Sequence, residues 1–164
     1  GPILRVVFGP RDPSYISPIL SAIQSDLCES GIDGVLSTHI QRDALEKFSY
    51  VSPIGAAGVY LHAVAGDFQK EGPARELFKS MIREISALAA AMGYPFEKDY
   101  VKINLEILSN LSADATTSMQ RDIMEGKPSE LDGLVMEPLR LAKKYSVSMP
   151  CYEEVAKVLC PLEF

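Results

Sequence analysis

Hydrophobic and polar positions along the chain follow two different periods. The opening run "ILRVVFG" is short, β-branched and aromatic, and "GPRDPS" then stops it, which predicts a strand over 3–8 and a turn. From Ser14 the apolar positions Ile16, Ile19, Leu20, Ile23, Leu27 and Cys28 recur at helical spacing until "ESGIDG", with Gly31 in the role of the residue just past the helix end. "GVLST" then predicts a second strand, completing a strand-helix-strand unit. Beyond about Thr38 only helical periodicity is found. Helices are expected over 41–65, with a disturbance near "SPIG", and over 71–92, 98–109, 115–125, 129–145 and 150–159. The clearest stripe is Leu77, Met81, Ile85, Leu88 and Met92, with Gly93 and Pro95 as stop signals.

These elements predict a mainly α chain: a β-α-β piece over 1–40 and a helical domain over 41–164. Two strands are too few to stand as an independent sheet. The expectation is therefore a fragment of a larger protein.

Composition narrows the class. The 164 residues carry 16 Lys and Arg against 22 Asp and Glu, a formal charge of −6, with no basic block. Nucleic acid, a polyanion, is not an expected partner. Three cysteines, Cys28, Cys151 and Cys160, are widely spaced and form no CxxC pair, so they are read as reduced, mostly buried thiols, and no metal site is expected. No basic segment followed by an apolar one opens the chain, and a cytoplasmic location is inferred. The stretch from Ala44 to Gly66 is apolar, yet Pro53, three glycines and two serines favour a small-residue helix in a protein core over a membrane span. Gly1-Pro2 is either native or a processing scar.

Several side chains carry candidate chemistry. Lys47 heads the apolar segment, with Leu45, Phe48, Val51 and Ile54 around it; it is either an ammonium at the mouth of a pocket or a lysine resting its stem on the core. In "KPSELDG", Ser129 reads as a helix N-cap, Glu130 as the first helical residue and Asp132 as the third, so helix capping alone accounts for Glu130. Ser118 in "ATTSMQRD" either meets an anion at a helix start or belongs to a cap. His62 is expected on an apolar face as a core histidine, and Arg121 and Asp122 in local ion pairs. No GxGxxG or GxxxxGK[ST] motif occurs.

Two stretches, "GIDGVLSTHIQRDALEKF" and "SADATTSMQRDIMEGKPSELDGLVMEPLRLAKKYSVSMPCYEEV", together with "LRVVFG", resemble the C-terminal portion of the ketopantoate reductase (2-dehydropantoate 2-reductase) family. The resemblance runs over nearly the whole chain. It implies a helical dehydrogenase domain of the 6-phosphogluconate dehydrogenase C-terminal type, preceded by a remnant of a Rossmann domain, most of which would lie upstream and bind NADPH. It further implies that Lys47 is the catalytic lysine, Glu130 the active-site glutamate and Ser118 a substrate contact. The implied reaction is reduction of ketopantoate to pantoate in pantothenate biosynthesis, by hydride transfer to a 2-oxo acid with Lys47 as proton donor, and a homodimer is an implied partner state. Many members carry Asn four and eight residues after the lysine and Trp two before it; here those positions hold Val51, Gly55 and Leu45. The departures leave two other readings: a related reductase with a different 2-oxo acid, or a helical dimerisation or ligand-binding module that lost the chemistry.

Overall fold

The computed structural model describes residues 4–12, 14–15 and 17–161. Gly1, Pro2, Ile3, Pro13 and Ile16, which figure in the expectations above, lie outside the described residues. The chain divides into two compact units, Gly1–Ala44 and Leu45–Phe164.

The first unit holds β1 (Arg5–Phe8), α1 (Pro18–Glu29) and β2 (Asp33–Leu36). The strands pair in parallel, from Arg5 opposite Asp33 to Phe8 opposite Leu36. A right-handed helical crossover is how a chain joins parallel neighbours, and α1 is held to β2 by Gln24 Nε2 donating to Gly34 O at 3.0 Å. Ser17 caps α1 and Pro18 starts it. Successive strand residues face opposite sides, and Val6 and Val7 are each 40% exposed, so both faces of β1 are open. No residue of α1 is buried.

The second unit is helical: α2 (Ile40–Leu61, entering from the first unit), α3 (Ala65–Gln69), α4 (Pro73–Ala91), α5 (Tyr100–Ser109), α6 (Ser118–Met124), α7 (Glu137–Tyr145) and α8 (Pro150–Leu159). A π-helical turn, Asp132–Met136, runs directly into α7. The expected stripe of α4 does face the core: Phe78, Met81, Ile82, Ile85, Leu88 and Ala89 are buried. Gly93, at φ 90, ends that helix, and Tyr94 N–H reaches back to Ala89 O at 2.9 Å.

The helix expected over 41–65 stops sooner, at Leu61, and α3 begins after a break. His62 makes that break. It sits at φ 51, its N–H donates to Val59 O and the N–H of Ala63 donates to Gly58 O. The side chain is exposed, which corrects the expectation of a core histidine. Cys28 is exposed and Cys151 and Cys160 are partly buried, so the expectation of mostly buried thiols is also corrected. No helix among the described residues is long and apolar enough to cross a membrane.

Pro53 lies inside α2 without ending it. Proline has no N–H, so the carbonyl four residues earlier, that of Ser49, loses its helical donor. Asn104, 1% exposed on α5, supplies the replacement: its Nδ2 donates to Ser49 O and to Ser49 Oγ, both at 3.1 Å. The disturbance expected near "SPIG" is thus absorbed by a side chain from another helix.

Candidate active site

Lys47 lies in the first half of α2 and is exposed. Val51, Gly55 and Gly58 follow it at intervals of four, four and three residues, a spacing that keeps all four on one face of the helix. That face changes character along its length. Val51 is 37% exposed, whereas Gly55 and Gly58 are buried. A Cβ on Gly55 would stand 3.1 Å from Met119 Cε, 3.9 Å from Leu134 Cδ1 and 4.0 Å from Thr117 Oγ1, and one on Gly58 would meet the Gln120 amide at 2.8 Å. Two glycines therefore let α6 and the π turn lie close against α2, one end of the stripe being covered and the Lys47 end open.

Ser118 is the first residue of α6 and is exposed. The cap itself is Thr117: its Oγ1 accepts from Gln120 N at 3.2 Å and its N–H donates to Gln120 Oε1 at 2.9 Å. Gln120 Nε2 donates onward to Ala63 O at 2.8 Å, tying the helix start to the end of α2. Arg121 donates to Thr116 O at 3.1 Å, and among the described residues neither Arg121 nor Asp122 makes the local ion pair expected of it.

Glu130 is exposed and precedes the π turn. Its carbonyl accepts from Leu134 N at 2.8 Å, while Leu131 already has helical dihedrals, so Glu130 rather than Ser129 occupies the capping position. Asp132, expected to complete a capping box, instead receives both Nη2 bonds of Arg140, at 2.8 and 2.9 Å. Lys47, Ser118 and Glu130 have no side-chain hydrogen-bond or ion-pair partner among the described residues. Their supporting segments meet at Gly55, through Thr117 and Met119 on one side and Leu134 on the other.

The π turn has a local cause. Pro138 lacks the N–H that would serve Leu134 O, and its ring crowds that carbonyl. The helix widens instead, with Glu137 N–H donating to Asp132 O five residues back. Leu134 O accepts a hydrogen bond from Ser52 Oγ at 2.6 Å, and Ser52 Oγ lies 2.5 Å from the hydroxyl of Tyr152 on α8. Ser52 and Tyr152 are fully buried. Burial pushes the Tyr152 hydroxyl far above its ordinary range, with the Ser52 bond opposing, so it stays a neutral donor. Sequence reasoning missed this group; its one signal was a proline four residues after Leu134 within a helical pattern.

Glu84 of α4 caps α8, accepting from Cys151 N at 2.8 Å and Tyr152 N at 3.1 Å. Burial, and then Glu84, push the Cys151 thiol up to about 11. Two surface depressions, one bordered by Arg75, Lys102 and Glu106 and the other by Arg140, Lys143 and Glu153, are lined by neither Lys47 nor Glu130.

Comparison with known proteins adds an independent line. Residues 39–163 match the family described as Ketopantoate reductase PanE/ApbA C terminal. The 2-dehydropantoate 2-reductase of Aquifex aeolicus (strain VF5) is 26% identical over 159 residues, covering 94% of this chain and 51% of that protein. Among solved structures, the 2-dehydropantoate 2-reductase from Methylococcus capsulatus superposes with a TM-score of 0.84 at 24% identity, over 97% of this chain and 50% of that one. D-mandelate dehydrogenase with NADH and anilino(oxo)acetate gives a TM-score of 0.77 at 17% identity, over 93% of this chain and 64% of that one. At these identities the two structures speak for the fold alone. The chain spans about half the length of the curated relative. With three quarters of its residues inside the matched segment, this mainly helical chain belongs to the ketopantoate reductase C-terminal family.

Proposed function

We propose that this chain is the substrate-binding half of an NADPH-dependent 2-dehydropantoate 2-reductase that converts ketopantoate to pantoate in pantothenate biosynthesis. Membership of the family supports the reaction class, and one observation carries the site: an exposed ammonium and an exposed carboxylate, neither with a partner among the described residues, on segments that meet along one face of α2. The donor set fits the acid-base end of such a reaction. It does not fit a dinucleotide's phosphates, because no glycine-rich phosphate motif is present. In this reading residues 1–40 are the end of a dinucleotide-binding domain, and the nicotinamide, when bound there, supplies the hydride.

Lys47 Nζ donates a hydrogen bond to the 2-oxo oxygen, stabilises the negative charge that grows on it, and delivers its proton as the alkoxide forms. Glu130 accepts from the substrate hydroxyl and orients the ammonium. Ser118, exposed at the start of α6, contributes a hydroxyl to the substrate. The test is NADPH oxidation by the natural polypeptide carrying this chain, with ketopantoate as substrate. Lys47→Ala is expected to lower kcat by about 100-fold or more. Full turnover in that variant would remove Lys47 from the chemistry.

A second reading, a reductase of a different 2-oxo acid, is favoured by the stripe beyond Lys47. Val51 is apolar, Gly55 is covered, and the hydroxyl next to Val51 in sequence, on Ser52, is buried and committed to Leu134 and Tyr152. A panel of 2-oxo acids differing only in side-chain hydroxyls separates the two.

A further inference from the structure

We propose that Ser52 is a positioning residue that sets Glu130 against the open stripe of α2, acting through the backbone of Leu134; this rests on the reading of Lys47 and Glu130 given above. The connection is short. Leu134 is held at both ends of its own backbone: its N–H donates to Glu130 O at 2.8 Å, and its C=O accepts from Ser52 Oγ at 2.6 Å. Ser52 lies on the helix that carries Lys47, five residues further on, which is about 7.5 Å of axial rise. One hydroxyl and the backbone of one residue therefore connect the segments that carry the two groups assigned to the substrate.

The hydroxyl is fixed in its turn. Ser52 has a single proton, committed to Leu134, so its lone pair accepts from Tyr152, whose hydroxyl is 2.5 Å away and whose side chain is fully buried. The carbonyl needs this partner because Pro138 cannot provide one. Any other donor to this carbonyl, a water included, would satisfy it without the link that Ser52 makes. Water would not tie the turn to α2. The turn is a π insertion, which rotates whatever precedes it relative to the helix that follows, and the residues that precede it here include Glu130.

The experiment uses the natural polypeptide, with kcat and KM for ketopantoate measured on folded samples matched by circular dichroism. Ser52→Ala is expected to lower kcat by about tenfold or more, since a misplacement of about 1 Å can cost as much as about 100-fold. Ser52→Thr, which keeps the hydroxyl, restores most of it. Gln69→Ala is the control: Gln69 Nε2 joins α3 to Leu108 O and Leu111 O, both at 2.9 Å, so its loss lowers the melting temperature and leaves kcat unchanged. Should Ser52→Ala not fold, Ser52→Cys keeps the volume while weakening the donor, and the same fall in kcat is expected. Wild-type kcat in Ser52→Ala or Ser52→Cys, or an equal loss in Gln69→Ala, overturns the proposal. If Lys47→Ala and Glu130→Ala are inactive while Ser52→Ala is not, only the positioning role falls. A wild-type protein that reduces no 2-oxo acid overturns the underlying reading and this proposal with it.

Discussion

Removing the Asn104 side chain should cost more stability than a surface substitution, and the structure says how much and why. Asn104 is 1% exposed, and its two 3.1 Å bonds end on Ser49, which is itself fully buried. In Asn104→Ala the net value of a hydrogen bond, about 1 kcal/mol, is lost, and the stranded Ser49 carbonyl adds about 1–3 kcal/mol, because Pro53 leaves it no helical donor. The expected sum is about 2–4 kcal/mol, or about 6–12 °C in melting temperature for a unit of this size. Urea unfolding followed by far-UV circular dichroism measures it. The decisive comparison is with Pro53→Ala, which restores an N–H opposite Ser49 O. In that background Asn104→Ala should cost at least about 1 kcal/mol less, a coupling expected between neighbours that share one acceptor. A cost that is the same in both backgrounds, or below about 0.5 kcal/mol in the first, refutes the account of how α2 tolerates its proline.

Three further outcomes follow from the packing. Gly58→Ala should destabilise by about 1–3 kcal/mol in thermal unfolding, because the new Cβ meets a Gln120 amide that is already anchored to Ala63 O and Thr117 N. Tyr50→Phe should be neutral or stabilising by up to about 1 kcal/mol, since the Tyr50 hydroxyl is buried with no partner among the described residues. At pH 8, Cys28 should react with a thiol reagent well before Cys151, which is partly buried and whose thiol is pushed up to about 11, and mass mapping of labelled peptides reads the order. Raising the pH toward that value should speed labelling at Cys151.

Helical periodicity carried most of the fold. The α4 stripe was visible in Leu77, Met81, Ile85 and Leu88 because one long helix buries one continuous face, and Gly93 marked its end because few other residues tolerate the left-handed position there. Misreadings occurred where tertiary contacts override local pattern. His62 looked apolar in context, yet it takes the left-handed turn that frees α3 from α2. Glu130 was placed one position too far into its helix because Ser129 is the more usual type of cap residue, whereas the first helical bond runs from Leu134 N–H to Glu130 O. Ser52 and Asn104 were illegible as partners for a plainer reason: each serves a carbonyl orphaned by a proline, and the acceptors lie 82 and 55 residues away. Lys47 and Glu130 stood out only through resemblance, since capping and snorkelling account for such residues equally well in a bare sequence.

Whether Lys47 and Glu130 serve one substrate is the central claim, and a double-mutant cycle on kcat/KM for ketopantoate in the natural polypeptide tests it most directly. If they act together, the Lys47→Ala, Glu130→Ala double variant is scarcely slower than the worse single variant, because the first loss already removes most of what the second contributes. Losses that multiply in the double variant would mean that the two residues act independently, and would contradict a shared site on the open face of α2.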